Sequence, residues 1–133
     1  MNYLLTLLSI AAIAVPLSAY ADPHYYQCQV MSDAYIKGNG TLEVLPNSPR
    51  IGEKFTVIKG TGVIIGDVMD VLNNPKVLAS GDEKNSYKVI WEQKAAGKSG
   101  AFVDYLSINE FVKGKPKPFG FFSGSLLLTG LCE

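Results

Sequence analysis

The stretch Tyr25-Tyr26-Gln27-Cys28-Gln29-Val30 decides the fold. Tyr26, Cys28 and Val30 fall on one side of an alternating run, Gln27 and Gln29 on the other. Successive side chains of an extended chain point to opposite faces, so this period of two marks a strand with one buried face. Cys28 stands on the apolar side. The second cysteine, Cys132, stands in Leu128-Thr129-Gly130-Leu131-Cys132-Glu133, again on the apolar phase. The two are 104 residues apart. A redox pair would have C-x-x-C spacing. Zinc would need further Cys or His ligands, and His24 is the one histidine. The expectation is a buried structural disulfide, Cys28 to Cys132, joining the first and last strands at the seam of the domain.

Upstream of this strand, Leu4 to Val15 is apolar except for Thr6 and Ser9. It is shorter than the roughly 20 residues that span a bilayer. Pro16 ends it, and Ala19-Tyr20-Ala21 supplies the small residues of a cleavage site. Residues 1–21 are therefore expected to be a signal peptide, although Met1-Asn2-Tyr3 carries no Lys or Arg. Residues 22–133 are expected to form a single β-domain, exported to the periplasm or secreted, with no membrane span. Export suits a disulfide. Lys plus Arg and Asp plus Glu number 12 each, for a net charge of +0. A dedicated nucleic-acid binder needs a basic excess to neutralise phosphates, so none is expected. Lys113, Lys115 and Lys117 are the one basic cluster and read as a solvated loop.

Downstream, Thr41 to Leu45 alternates until Pro46 and Pro49 end it. Lys54 to Ile58 and Val63 to Ile65 flank a Gly-containing loop, a hairpin signal. Asp67 can cap a single helical turn that Pro75 stops, or the segment is an irregular loop. Val77 to Ala79 reads as a short strand. In Ser86 to Glu92, Tyr87, Val89 and Trp91 share one face. Phe102 to Phe111 changes phase, which a β-bulge or burial on both faces would produce. Phe119 to Cys132 reads as one long closing strand, with Gly120, Phe122, Gly124, Leu126, Leu128, Gly130 and Cys132 on one face. The expected fold is all-β: a single antiparallel barrel, closed or nearly so, or a sandwich, of about eight strands with at most one short helical turn.

Chemistry is sparse. No nucleophile elbow, Walker loop or H-E-x-x-H occurs. Lys98-Ser99 lies in a Gly-rich turn, and Asp67 with Asp70 lacks the oxygens of a calcium loop. No catalytic residue, cofactor or metal site is expected. Aromatic residues are plentiful, and most can fill a small barrel. Tyr105 and Phe121 fall outside the simplest inward phase of their strands and are the expected partner-facing positions. The expected function is a non-enzymatic binding or inhibitor module for a protein partner. The alternative is a carrier with an apolar ligand in the barrel mouth.

Phe55-Thr56-Val57, Thr61 to Asp67, Ser86 to Val89, Asp104 to Phe111, Lys117-Pro118-Phe119, Phe122-Ser123-Gly124 and Gly130-Leu131-Cys132 resemble a set of small exported bacterial proteins. That resemblance implies an exported β-domain and carries no activity. A looser likeness, of architecture only, is to periplasmic inhibitors of C-type lysozyme, small exported barrels with cysteines near both ends. Their Ser-Gly-x-x-Tyr inhibitory loop is not matched: Ser99-Gly100-Ala101-Phe102 is nearest and lacks the tyrosine.

Overall fold

The structure is a computed structural model that describes residues 22–69, 72–94 and 101–133. The expected signal peptide at 1–21, Asp70-Val71 and the turn at 95–100, with Lys98, Ser99 and Gly100, lie outside the described residues. The strands are β1 (Tyr25–Ile36), β2 (Leu42–Val44), β3 (Lys54–Ile58), β4 (Ile64–Ile65), β5 (Pro75–Ser80), β6 (Tyr87–Lys94), β7 (Ala101–Ile108), β8 (Lys117–Ser123) and β9 (Leu126–Cys132). Among the described residues there is no helix, and Gly66 to Met69 forms a bend, the irregular-loop alternative to a helical turn.

All ladders are antiparallel. The sheet runs β4-β3-β1-β9-β8-β7-β6-β5, with β2 paired to the far half of β1. It curls into a half-barrel. Tyr26 on β1 and Tyr87 on β6 lie four places apart in that order, yet their rings sit 5.1 Å apart across the interior. The Tyr87 hydroxyl donates to the Lys59 carbonyl at 2.8 Å, tying β6 to the end of β3. No ladder joins β4 to β5 among the described residues, so the open seam lies there. This relocates the expected seam. β1 and β9 are neighbours inside the sheet, and the disulfide crosses their ladder.

Cys28 and Cys132 are bonded and directly opposite each other. Gln27 and Glu133 exchange both backbone hydrogen bonds at 2.9 Å. The cysteines therefore occupy the adjacent non-hydrogen-bonded position, where opposed side chains come closest. Both are buried. Tyr87, Val89 and Trp91 point inward as expected, all fully buried. With Leu106, Ile108, Phe119, Phe121 and Leu128 they build the core. Phe55 meets Phe119 edge to face at 5.2 Å, and Trp91 meets Phe121 at 6.3 Å. Such pairs contribute about 0.5–1.5 kcal/mol beyond the area they bury.

Three details differ from expectation. Phe119 to Cys132 is two strands, with Ser123 opposite Leu126 and Gly124-Ser125 turning between them. Gly124 has φ 57°, the Gly-first pattern of a two-residue type II′ loop. The phase change in β7 is not a bulge, because its ladders to β6 and β8 are continuous. Bulges occur instead at Met31 in β1 and Leu78 in β5, each the extra residue of a register shift.

Candidate functional site

The outward positions of six strands form one row. Ile90 on β6 pairs with Tyr105 on β7, Tyr105 with Phe122 on β8, and Phe122 with Leu127 on β9. Leu127 pairs with Ala34 on β1, and Ala34 with Val44 on β2. Ile90, Tyr105, Phe122 and Leu127 are each flanked along the strand by a buried core residue, which fixes their outward direction. Directly opposed side chains share a face and touch, and Tyr105 and Phe122 stack with ring centroids 6.5 Å apart. Phe122 is 43% exposed and Val44 59%. Val103, Ile36 and Leu42, at the same end of the sheet, are also exposed. No charged side chain interrupts the row between Ile90 and Val44. At Ala34, 4% exposed, the row is covered, so Val44, Leu42 and Ile36 stand apart from the patch of Ile90, Tyr105, Phe122 and Leu127. Exposed apolar positions grouped on an outer face are a feature of surfaces that meet another molecule.

Of the two expected partner-facing residues, Tyr105 lies in this row, half-buried. Phe121 does not: it is 3% exposed, packed on Trp91, and so belongs to the core. Its neighbour Phe122, read from the sequence as a core residue, faces out.

The bulge at Met31 turns Asp33 inward, opposite Leu128. Asp33 is fully buried. Its Oδ2 accepts from the Ser48 hydroxyl and, at 3.1 Å, from Arg50 Nη1. The Leu45 amide donates to the Asp33 carbonyl. These bonds hold the segment between β2 and β3 over that end of the barrel. Among the described residues, Asp33 Oδ1 and Trp91 Nε1 are buried without a protein partner. The carboxylate is retained by its guanidinium, since an unpaired buried charge would cost several kcal/mol.

The opposite end is closed by Tyr26. Its hydroxyl donates to Glu110 Oε1, and the Lys59 ammonium lies 4.1 Å from its ring centroid. Lys117, expected in a solvated loop, donates to the Glu110 and Val112 carbonyls. Burial raises the Tyr87 hydroxyl to about 12. Burial, then the Glu110 hydrogen bond and charge, raise Tyr26 well above the usual phenol range. An unfolded tyrosine releases its proton near ~10. Above that pH the unfolded state loses protons that the folded state keeps, so stability falls as pH rises from about 10 through 12. In a spectrophotometric titration at 295 nm, these two phenols should ionise after the exposed tyrosines, with Tyr87 near 12, in the range where loss of near-ultraviolet circular dichroism reports unfolding. Reversible ionisation of every tyrosine without that loss would contradict the arrangement.

Two open surface grooves accompany the row. One, of about 460 Å³, crosses the outer face of β3, β1 and β9. The other, of about 420 Å³, lies by Asn74, Lys76, Ile90 and Glu92. Among the described residues no group of three or more His, Cys, Asp or Glu side chains is placed to hold a metal ion. Comparison with protein-family models, curated proteins and solved structures found no match.

Proposed function

We propose that the chain is an exported, non-enzymatic module that binds a protein partner through the outward patch Ile90, Tyr105, Phe122 and Leu127. The observation that carries this is the patch itself: four strands in register, stacked aromatics at the centre, and no charge within it. Export is supported by the disulfide, which oxidising compartments maintain. No described helix is long and apolar enough to cross a membrane, which leaves strands unaddressed. The resemblance to small exported bacterial proteins fits the same picture. A carrier is less well supported, because an apolar ligand inside would have to displace Trp91, Tyr87, Leu106 and Leu128, all fully buried.

The test is Phe122→Ser. Phe122 is half-exposed, and surface substitutions usually shift stability by under about 0.5 kcal/mol. The fold should therefore persist by circular dichroism. Truncating a central aromatic anchor typically weakens binding by about 2 kcal/mol, roughly thirtyfold. A partner captured from envelope or host extracts by the wild-type chain should be lost with the variant. A partner retained equally by both would place the binding surface elsewhere.

A further inference from the structure

The apolar patch is bordered by a charge pattern on β6. Lys88 and Glu92 stand two residues to either side of Ile90. Tyr87, Val89 and Trp91 are fully buried and point inward, so Lys88, Ile90 and Glu92 all face out. On β7, β8 and β9 every outward position within 103–107, 118–122 and 127–131 is uncharged. Lys88 and Glu92 make no ion pair among the described residues.

This pattern is complementary to itself. A two-fold axis lying along the row from Ile90 to Leu127 turns a second copy over onto the first, each strand antiparallel on its own counterpart. Ile90, Tyr105, Phe122 and Leu127 then meet their own symmetry mates. Glu92 of each copy lies over Lys88 of the other, so two ion pairs form at once. Size is complementary in the same sense. Val103, exposed on the Glu92 side of the row, comes over the small Ser107 on the Lys88 side, and the turn at Gly124 comes over Gly120. Packed sheets lie about 10 Å apart, a gap that lysine and glutamate side chains bridge together. Twisted sheets cross at about 30°, and the same long side chains absorb that offset.

The outer face of a half-barrel is convex, so contact is confined to the middle strands. Lys76, which continues the row past Ile90 on the edge strand β5, falls where the two surfaces diverge and stays in water. Four strands at about 4.8 Å and three outward rows at about 6.8 Å cover roughly 19 by 20 Å. Two copies contribute about 800 Å² between them, the size of a weak, transient contact.

We infer that the partner of this patch is a second copy of the same chain, held in a weak two-fold dimer by the apolar row and by reciprocal Lys88–Glu92 pairs. The inference rests on the reading of the patch as a protein-binding surface.

The experiment is sedimentation equilibrium of the full chain between about 10 µM and 1 mM, with folding checked by circular dichroism. A reversible monomer–dimer equilibrium with a Kd of about 0.1 mM is expected. Phe122→Ser should abolish the dimer in this range. Lys88→Glu and Glu92→Lys should each weaken it about tenfold, because either substitution turns two attractions into two repulsions. An equimolar mixture of those two variants should recover a dimer of about wild-type strength, since one copy then carries two negative groups and the other two positive ones. A chain still monomeric at about 1 mM, a dimer indifferent to Phe122→Ser, or a mixture no tighter than its components overturns the inference. If the wild type is monomeric while Phe122→Ser still loses a captured partner, the second copy alone is ruled out. If Phe122→Ser changes neither, the patch itself is not the binding surface.

Discussion

Cys28→Ala combined with Cys132→Ala is expected to lower the free energy of unfolding by about 4–5 kcal/mol. In the chain-entropy model a loop of about 100 residues contributes roughly 4.7 kcal/mol, by restricting the unfolded chain. The loop here has a sequence separation of 104 residues. Domains of this size are stable by only about 5–15 kcal/mol, so roughly a third or more of the margin would go. At a urea dependence of about 1–3 kcal/mol per molar, the midpoint should fall by roughly 1.3–5 M. Because Cys28 is 2% and Cys132 0% exposed, reductant should attack the wild-type bond only as the chain unfolds. Native protein in dithiothreitol should therefore take up alkylating reagent at the rate of unfolding. A loss below about 1 kcal/mol would show that the β1–β9 ladder holds without its cross-link.

Gly130→Ala is the second large effect. Gly130 pairs with Val30 on β1, next to the bulge. A Cβ there would lie 1.9 Å from the Gln29 carbonyl oxygen and 2.7 Å from the Phe119 ring. The first obstacle is backbone, which cannot rotate away. Accommodation requires β9 to move off β1 at the centre of the sheet. A loss of more than about 3 kcal/mol is expected, above the usual range for overpacking because a ladder is broken as well. Gly60→Ala is the control: a Cβ there has nothing within 4 Å. It should be near neutral, or stabilising by a few tenths of a kcal/mol through the unfolded state. Thermal melts of the two variants should separate widely. Similar melting temperatures would mean that β1 and β9 yield at Gly130.

Much of this fold is legible in the chain's local pattern. Tyr87, Val89 and Trp91 betray their strand because a half-buried strand must alternate. The cysteine partnership follows from there being two, each on the apolar phase of its strand. The turn at Gly124-Ser125 is hidden by its own geometry. Across a two-residue hairpin, paired positions such as Ser123 and Leu126 sum to an odd number. Odd positions of β8 thus share a face with even positions of β9. A single alternating frame carried through the turn must misplace one side, and it exchanges Phe121 with Phe122. The row of the candidate site is harder still to read. Its members come from six strands, and their neighbourhood depends on registers that local pattern does not encode. Asp33 faces inward only because Met31 adds a residue to β1, a shift with no local signature in Val30-Met31-Ser32.

The position of β9 between β1 and β8 governs the order of assembly. A chain that emerges vectorially, from a ribosome or through a secretion pore, presents β1 first and its inner neighbour last. Until β9 arrives, β1 can pair only on its other side, with β2 and β3. The β5 to β8 meander can form, but it has no strand to join it to β1. The two halves remain separate pieces with exposed edges, and long-range closure of this kind is slow because its entropy must be met before its contacts form. The sheet and its covalent lock are thus completed together, when the last strand arrives.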